Sequence, residues 1–480
     1  MRRLAVPLLL LLLTSCAPWG PKLSFPKHPL RKSSAETWYD TNNNHKPDFA
    51  LHRDPAGAID SLLYDDNQDG SPDRTYNLSE YSPEKIPHVI ILLDSLPYQL
   101  ALDRYNAGNF RYFTRPAKVI GVFPTLTELC YTRVLGTPPL AGMTEQFYDP
   151  QKNKIHSGWW ERTTGYQQPW EHQLAYNARY LEASFTYLNP RAWLPIEMGR
   201  IRRAINSSPT RRTIVYAVSA SGMACKFGLD GMNQTLDAAN QLCLQLLHER
   251  QGAIQITLMA DHGHNLIESH SASKSLKNAL TRAGYKTTTS IHSDQDVVIE
   301  LAALVNYVGV RTKRSPDVAR ALITAPEVEF AIYQQDNSII IQSADGSAAI
   351  DYENGNYRYR ILTHDVLHYG KLSGQFASAQ SWFTATQDAQ YPDAPERLWE
   401  AFHGLVLNPP EVMLTLKPGF FAGKETLQHF IQMKSTHGSL DQQNTATFLM
   451  TMRRNLPDAV RSDDILNLVE PASSDTMPKL

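Results

Sequence analysis

The sequence predicts an α/β protein whose central sheet is mostly parallel and is covered by helices on both faces. Three apolar runs, at residues 88–93, 213–218 and 253–259, predict buried strands. Runs that are apolar throughout suit central strands with both faces covered. Between the last two runs, apolar residues recur at helical spacing from Leu229 to Leu246. A strand–helix–strand order of this length favours a parallel sheet.

A second pattern predicts an antiparallel β meander inserted into this domain. Short strand-like runs at residues 325–362 are separated by Asp336-Asn337, Asp345-Gly346 and Asn354-Gly355, which are strong hairpin signals. The expected strands are Glu327–Tyr333, Ser338–Gln342, Ser347–Asp351 and Tyr357–Ile361. We expect the α/β domain to span residues 86–480, with the insert at about 270–430.

The N-terminus has the pattern of an exported, lipid-anchored protein. The apolar run from Leu4 to Leu13 follows two arginines. It is shorter than the roughly 20 residues of a transmembrane helix but suits the core of a signal peptide. It ends in Leu-Thr-Ser-Cys, which is similar to a bacterial lipobox and implies acylation of Cys16. We expect a signal peptide at 1–15 and a tether at 16–35; the alternative is an ordinary signal peptide with a chance cysteine.

The rest of the composition excludes several classes of protein. A net charge of -2 gives no indication of nucleic-acid binding. No second apolar run is long enough to span a membrane, so a lipid anchor is the expected membrane contact. Three cysteines remain after Cys16 and cannot all pair within one chain, which excludes a disulfide framework. The lipobox resemblance, with Ala17 after the cysteine, implies the outer membrane of a bacterial envelope, facing the periplasm or the surface.

Two Asp- and Asn-rich loops in the 36–80 segment have the donor spacing of calcium-binding loops. Oxygen-bearing side chains alternate around Gly70 in the second loop, and the first repeats the spacing with His45 in place of glycine. The expected calcium donors are Asp65, Asn67, Asp69 and Asp73, and Asp40, Asn42, Asn44 and Asp48. The second loop resembles the start of an EF-hand, with Tyr76 at position twelve, and is closer to thrombospondin type 3 or dockerin-like repeats. The alternative is a pair of polar turns.

Candidate metal ligands follow two of the predicted strands. Asp94 comes directly after the first strand, and Asp261-His262-Gly263 follows the third. In open α/β sheets, functional groups gather beyond the carboxyl ends of the strands. Thr127 is expected at the start of a helix, where the helix dipole and free N–H groups favour phosphate. A role as a helix N-cap is the alternative for this threonine.

The segment around Thr127 carries a family resemblance. Val122-Phe123-Pro124-Thr125-Leu126-Thr127, followed by Leu135-Gly136-Thr137-Pro138-Pro139, resembles the nucleophile segment of nucleotide pyrophosphatases and related phosphodiesterases of the alkaline phosphatase superfamily. Asp94, Asp261 and His262 fall in the family's order, and Ser435-Thr436-His437-Gly438 is similar to its closing His-Gly motif. The resemblance covers about 86–270 and 434–466. It implies a metal-dependent hydrolase of small phosphate esters, with Thr127 as the nucleophile.

The resemblance also implies zinc ligands. Asp94, Thr127, Asp261 and His262 would surround the nucleophile-side metal, conventionally Zn²⁺. The family's second metal is held by an Asp and a His four residues apart, together with the late His. Alignment without gaps places Ser221 and Cys225 at the first two positions, and only His437 is retained. We therefore expect the second zinc site to be empty or weakly filled.

Two further hypotheses stay open at this point. One is a catalytically attenuated or inactive superfamily member that binds an envelope ligand or partner. The other is a related chemistry, such as sulfate-ester hydrolysis or phosphoglycerol transfer. His264 is expected at the surface or beside the ligands, rather than as a ligand itself.

The lipid anchor gives the first testable prediction. Cys16→Ser removes the only sulfur at the lipobox, so it should abolish acylation and leave the protein unprocessed or soluble. Metabolic labelling with a fatty-acid probe checks this, with Cys130→Ser as the matched control that should label like the wild type. Labelling of Cys16→Ser would contradict the lipoprotein prediction.

Overall fold

The computed structural model describes residues 21–156, 167–301, 304–423 and 433–470. The predicted signal peptide and Cys16 lie outside the described residues. Within these ranges, no helix combines the length and the apolar character that crossing a bilayer requires.

The secondary structure comprises strands in several sheets and helices that pack against them. The strands are β1 Arg31–Lys32, β2 Glu36–Tyr39, β3 Phe49–Arg53, β4 Ile59–Tyr64, β5 Arg74–Asn77, β6 His88–Leu93, β7 Ala117–Ile120, β8 Phe147–Asp149, β9 Lys154–His156, β10 Leu174–Tyr176, β11 Arg212–Ala217, β12 Gln255–Ala260, β13 His270–Ser271, β14 Lys286–Thr287, β15 Asp296–Glu300, β16 Tyr307–Arg311, β17 Val328–Gln335, β18 Ser338–Gln342, β19 Ser347–Glu353, β20 Asn356–Ile361, β21 Ala377–Ser378, β22 Val412–Leu416, β23 Phe420–Phe421, β24 Ala446–Thr451 and β25 Ala459–Arg461. The helices are α1 Tyr98–Asn106, α2 Thr127–Val134, α3 Tyr180–Leu188, α4 Pro190–Ser207, α5 Ser219–Glu249, α6 Ser273–Arg282, α7 Ser315–Leu322, α8 Ala379–Thr386, α9 Ala394–Phe402, α10 Gln442–Thr445 and α11 Ile465–Val469.

The central sheet has the strand order β10-β11-β6-β12-β24-β7-β25. All its strands run the same way except β24, which is antiparallel to both neighbours. Val89, Ile91 and Leu93 of β6 face a core closed by α4 and α5, while Ile90 and Leu92 face a second core closed by α2 and α11. Because side chains alternate between the faces of a strand, an unbroken apolar run is what a doubly covered strand needs. The predicted α/β class is confirmed.

The predicted meander forms part of a nine-stranded sheet with the order β14-β15-β16-β22-β17-β18-β19-β20-β21. Strands β17 to β20 pair antiparallel in sequence order, as the turn-forming pairs predicted. The sheet is larger than expected because β16 pairs with β22, and β22 pairs with β17. The strands of this sheet come between β12 and β24 in the sequence. The chain then returns to the central sheet through residues 433–441, which precede β24.

The chain before β1 packs on the protein, which corrects the expectation of a tether up to residue 35. Phe25 is only 4% exposed, and its ring lies 5.0 Å from that of Tyr39 and 5.8 Å from that of Phe49. The Gln245 side chain on α5 donates to the Ser24 hydroxyl at 2.7 Å. An aromatic ring buried to this degree loses most of its contact with water, so from Ser24 onward the chain belongs to the folded body.

The two Asp/Asn loops adopt the same conformation. They join β2 to β3 and β4 to β5 within an antiparallel five-stranded sheet. The Asp40 carboxylate accepts the N–H groups of Asn44 at 3.2 Å and His45 at 2.7 Å. In the second loop, the Asp65 carboxylate accepts the equivalent N–H groups, from residues 69 and 70, at 3.1 Å and 2.9 Å. His45 and Gly70 are both left-handed, with φ 67° and 95°. The first loop thus holds the turn without the expected glycine.

Calcium stays a prediction for both loops. In the described part of the chain, neither loop gathers three carboxylate oxygens at mutual spacings within 4.8 Å. The Asp40 and Asp65 carboxylates accept backbone N–H groups, and these bonds hold the turns in this structure.

We expect calcium to protect the 36–80 segment from limited proteolysis, and Asp69→Ala to remove that protection because it deletes a donor oxygen. Cleavage with calcium or with chelator, followed by mass spectrometry, measures the effect. Asp66→Ala is the matched control, since Asp66 lies in the same loop outside the donor positions and pairs with Arg74 instead. Identical cleavage in both conditions would identify the loops as polar turns.

Candidate metal centre

The site is built at the carboxyl ends of two adjacent parallel strands. β6 pairs with β12 so that Leu93 lies opposite Ala260, which places the next residues, Asp94 and Asp261, side by side. Ligand atoms of Asp94, Asp261 and His262 lie within 4.8 Å of one another, and all three residues are buried. Across residues 21–156, 167–301, 304–423 and 433–470, this is the only cluster of three or more ligating side chains with that spacing.

The Thr127 hydroxyl faces this cluster. Thr127 is the first residue of α2, and its Oγ1 lies 3.5 Å from Asp94 Oδ2 and 3.3 Å from His262 Nε2. The N-cap position belongs to Leu126, and the helix has no side-chain cap. Thr127 therefore does not act as the N-cap, which was the alternative at the sequence level. Its partial exposure leaves the hydroxyl accessible from one side.

Hydrogen bonds satisfy three of the four carboxylate oxygens. Asp261 Oδ1 accepts the backbone N–H groups of Ser95 and His262, both at 2.9 Å. Asp94 accepts the Tyr216 hydroxyl on Oδ2 at 2.5 Å and the Ser95 hydroxyl on Oδ1. Asp261 Oδ2 accepts no close hydrogen bond; it lies 3.3 Å from His262 Nε2, and the nearby Thr127 hydroxyl only partly offsets the rise in the pKa of Asp261. A buried carboxylate oxygen without a close partner is costly, and a proton or a cation at this position would remove that cost.

The electrostatics of the cluster favour a bound cation. Burial, and then the neighbouring Asp94 carboxylate, raises the pKa of Asp261 well above its usual value. Burial lowers the pKa of His262, which keeps its ring neutral. His262 Nδ1 donates to the Gly263 carbonyl at 3.0 Å, so the Nε2 lone pair faces the carboxylates. Two carboxylates and a neutral imidazole are donors that suit Zn²⁺, and a divalent charge would offset the repulsion between the carboxylates.

His437 lies beside the cluster without joining it. Its ring stacks on that of His262, with centroids 4.0 Å apart and an interplanar angle of 18°. Its Nδ1 donates to the Thr125 carbonyl at 2.8 Å, which leaves Nε2 as an acceptor. The 433–441 segment positions this histidine after the nine-stranded sheet, so a residue remote in sequence reaches the site.

Ser221 and Cys225, the candidates for the second zinc site, make other contacts in the structure. Both lie on α5, four residues apart. The Ser221 hydroxyl accepts the Tyr187 hydroxyl at 3.1 Å, and Cys225 packs against Phe421 and Met433. Burial, and then the negative charge of Asp94, raises the pKa of the Cys225 thiol to about 12. The described part of the chain holds no second group of three His, Cys, Asp or Glu side chains at the spacing of the first cluster.

His264 is buried, so the expectation of a surface position is wrong. It is 1% exposed, and its ring lies 4.9 Å from that of His437. The Ser435 hydroxyl donates to the Ala224 carbonyl at 2.8 Å and accepts from His264 Nδ1 at 2.7 Å. His264 therefore lies beside the candidate ligands, which was the other half of the expectation. Burial occurs because the 433–441 segment covers it, a tertiary contact that local sequence does not encode.

Sequence reasoning missed the groups that hold the carboxylates. Tyr216 lies near the end of β11, opposite Leu92 of β6, and its hydroxyl reaches Asp94. Ser95 binds both carboxylates and has a left-handed backbone, with φ 65°. A polar ring near the end of an apolar strand was the one available signal for Tyr216. Nothing in the local pattern marked Ser95.

The fold and the site together define an α/β protein with a candidate two-carboxylate, one-imidazole metal centre beside a threonine. No protein-family model and no curated protein match the chain. Similar solved structures include murine ectonucleotide pyrophosphatase/phosphodiesterase 5, with 11% identity over 81% of this chain and 97% of that one, at a TM-score of 0.42. The human ectonucleotide pyrophosphatase/phosphodiesterase 5 is similar as well. It shares 12% identity over 81% of this chain and 97% of that one, at a TM-score of 0.43.

Phosphonoacetate hydrolase from Sinorhizobium meliloti 1021, in complex with phosphonoformate, is also similar. It gives 11% identity over 82% of this chain and 95% of that one, at a TM-score of 0.46. Likeness at these identities concerns the fold alone, and TM-scores below 0.5 add no weight to it. Function is therefore inferred from the residues of this chain.

Replacing the unsatisfied carboxylate tests the metal centre. Because the folded pKa of Asp261 lies above its unfolded value of about 4, the metal-free protein loses stability as pH rises from that value. Asp261→Asn removes this loss, so at pH 7 in chelator the variant should unfold at a higher temperature than the wild type. Saturating Zn²⁺, at a hundred times Kd, should stabilise the wild type by about 2.7 kcal/mol and leave Asp261→Asn unchanged.

Thermal unfolding followed by circular dichroism, with and without Zn²⁺, measures both effects. Asp345→Asn in an exposed hairpin turn is the control and should behave like the wild type. Equal stabilisation of wild type and Asp261→Asn by Zn²⁺ would rule out this cluster as the metal site.

Proposed function

We propose that this chain is a metal-dependent phosphoric ester hydrolase of the alkaline phosphatase superfamily, with Thr127 as its nucleophile. One observation carries the proposal: the Thr127 hydroxyl lies at the start of α2, within 3.5 Å of both Asp94 and His262. On one side of this hydroxyl, the N-terminus of α2 could hold a phosphate. On its other side lie the candidate metal ligands Asp94, Asp261 and His262. The substrate class is a small phosphomonoester or phosphodiester.

The chain's own residues supply the parts that attack requires. The first N–H groups of a helix have no partner within it, so those of α2 can donate to the phosphate oxygens. Thr127 Oγ1 attacks phosphorus as the bond to the leaving group breaks, and a phosphothreonine remains. The leaving group departs as an oxyanion and takes its proton from solvent. The proton of the hydroxyl passes to solvent on the open side of Thr127. Tyr216 and Ser95 hold Asp94 in place beside the hydroxyl.

A zinc ion held by Asp94, Asp261 and His262 would lower the pKa of the Thr127 hydroxyl and offset charge on the phosphate. Asp261 Oδ2, which accepts no close hydrogen bond, is the observation that supports metal binding here. Calcium in the Asp/Asn loops is a separate proposal and has no part in this chemistry.

Release of the phosphate is the step that this chain supports poorly. A water must be activated on the leaving-group side, where the neighbouring polar groups are Ser221, Cys225 and His437. Only His437 offers a free imidazole nitrogen, whereas Cys225 is a buried thiol. We therefore propose slow turnover with a weakly filled or empty second zinc site.

A second candidate function is a non-catalytic envelope protein that keeps the fold to bind a ligand or partner. The observation that favours it is the apolar packing of Cys225 against Phe421 and Met433, at the position where the family resemblance implies a histidine ligand for a second metal. The N-terminal lipobox supports a place in the bacterial envelope, attached to the outer membrane by lipid, for either function.

A panel of chromogenic phosphomonoesters and phosphodiesters with added Zn²⁺ or Mn²⁺ tests the proposal. We expect a burst followed by slow turnover in the wild type, and a loss of at least about a hundredfold in Thr127→Ala. Thr137→Ala, which shortens a threonine just beyond α2, is the matched control and should keep wild-type rates.

Ser221→Asp with Cys225→His should raise the metal content from about one to two per chain and the turnover at least about tenfold.

Two outcomes would contradict parts of this reading. If the wild type binds two metal equivalents and matches the double variant in turnover, the second site is intact. If no form hydrolyses any ester while the metal still binds, the binding-protein function is the better one.

A further inference from the structure

A cavity of about 750 Å³ lies between the N-terminal sheet and the α/β body. Its walls come from the 22–32 segment, from β2 to β4, from the 108–112 loop, and from α4 and α5. It shares no residue with the candidate metal centre. Cavities of this volume are typical of sites for small organic ligands.

The cavity lining carries an excess of positive charge. Five cationic side chains in it have no carboxylate partner within the described chain: Lys22, Lys27, Lys32, Arg53 and Arg111. Asp237 is the one acidic residue in the lining, and it pairs with Arg104. Five cations around one already neutralised acid would attract an anion into the cavity.

Neutral acceptors hold the two arginines in position. Arg53 donates to the Thr37 hydroxyl at 2.7 Å. Arg111 donates to the carbonyls of Ala56 at 2.8 Å and Gly57 at 3.1 Å. These bonds orient the guanidinium groups without cancelling their charge, which leaves them able to pair with phosphate oxygens.

The same cavity has an apolar floor. Buried side chains contribute to it from the sheet, the loop and the helices: Tyr39, Leu51, Ile59, Phe110, Leu194 and Leu244. An inorganic anion alone would make no apolar contact with these side chains. A ligand with a charged head and an apolar part would contact both the cationic rim and this floor.

We propose that this cavity binds a phosphate-bearing amphiphile, namely an anionic membrane phospholipid held by its headgroup and the first carbons of its chains. The position in the chain favours a membrane source. Lys22 lies six residues after the predicted lipid anchor at Cys16, and six extended residues span at most about 21 Å. The cavity and its cationic rim would thus face the bilayer that carries the anchor. This inference rests on the proposed lipid anchor and is independent of the proposed hydrolase function.

Native mass spectrometry of the full chain, purified in non-ionic detergent, tests the proposal. The probe is an equimolar mixture of phosphatidic acid and phosphatidylcholine with matched acyl chains. We expect one phosphatidic acid to be retained per protein, with at least a tenfold preference over phosphatidylcholine. Equal retention of the two lipids would overturn the proposal, because charge would then have no part in binding.

Three variants separate the contributions. Lys22→Gln, Lys27→Gln and Lys32→Gln together should weaken retention of phosphatidic acid at least tenfold, whereas Arg203→Gln, Lys313→Gln and Lys371→Gln, which remove as many exposed charges elsewhere, should leave it within twofold. Ala238→Trp places a large ring in the cavity and should abolish lipid retention. Circular dichroism confirms that each variant is folded.

Soluble glycerol phosphate distinguishes the two sources of the same phosphate chemistry. If glycerol phosphate binds as tightly as phosphatidic acid, and Ala238→Trp leaves its binding intact, the amphiphile proposal is overturned in favour of a soluble phosphate. Equal loss in the cationic and control triple variants would overturn the cavity as the site.

Discussion

Two carboxylates buried side by side are the constraint on which the candidate site depends. The register of β6 on β12 places Asp94 next to Asp261, and the low-dielectric interior makes their mutual repulsion strong. Hydrogen bonds from Ser95, Tyr216 and the backbone N–H of His262 offset part of this repulsion. They occupy three of the four carboxylate oxygens. The fourth oxygen remains for a proton or a cation, and both the metal proposal and its stability consequence follow from it.

The site is asymmetric because its two sides come from different parts of the fold. The side that carries Thr127 is built from the ends of adjacent central strands and the start of α2, which the core holds in place. The other side is built from α5 and from the 433–441 segment, which arrives only after the long nine-stranded sheet. In that segment, the His437 ring stacks on the His262 ring, and the Ser435 hydroxyl accepts a hydrogen bond from His264 Nδ1. Substitutions on this second side, as at Cys225, therefore need not disturb the sheet.

Helix α5 connects the candidate site to the N-terminal sheet. Its first turns carry Ser221 and Cys225, while its later turns line the cationic cavity and hold Ser24 through Gln245. The N-terminal segment is thereby part of the folded body rather than a free linker. A lipid anchor just before it would bring this face of the protein, and not the metal centre, close to the membrane.

The sequence by itself determined the α/β class, the meander and the nucleophile-side candidates, because each of these is encoded locally. Unbroken apolar runs mark doubly covered strands, turn-forming pairs mark hairpins, and polar residues just after strands must meet at one edge of a parallel sheet. Only the tertiary structure decided the burial of His264, the packing of Phe25 and the bond from Tyr216 to Asp94. These depend on which segments meet across hundreds of residues, and side-chain packing at such contacts leaves no periodic pattern in the chain.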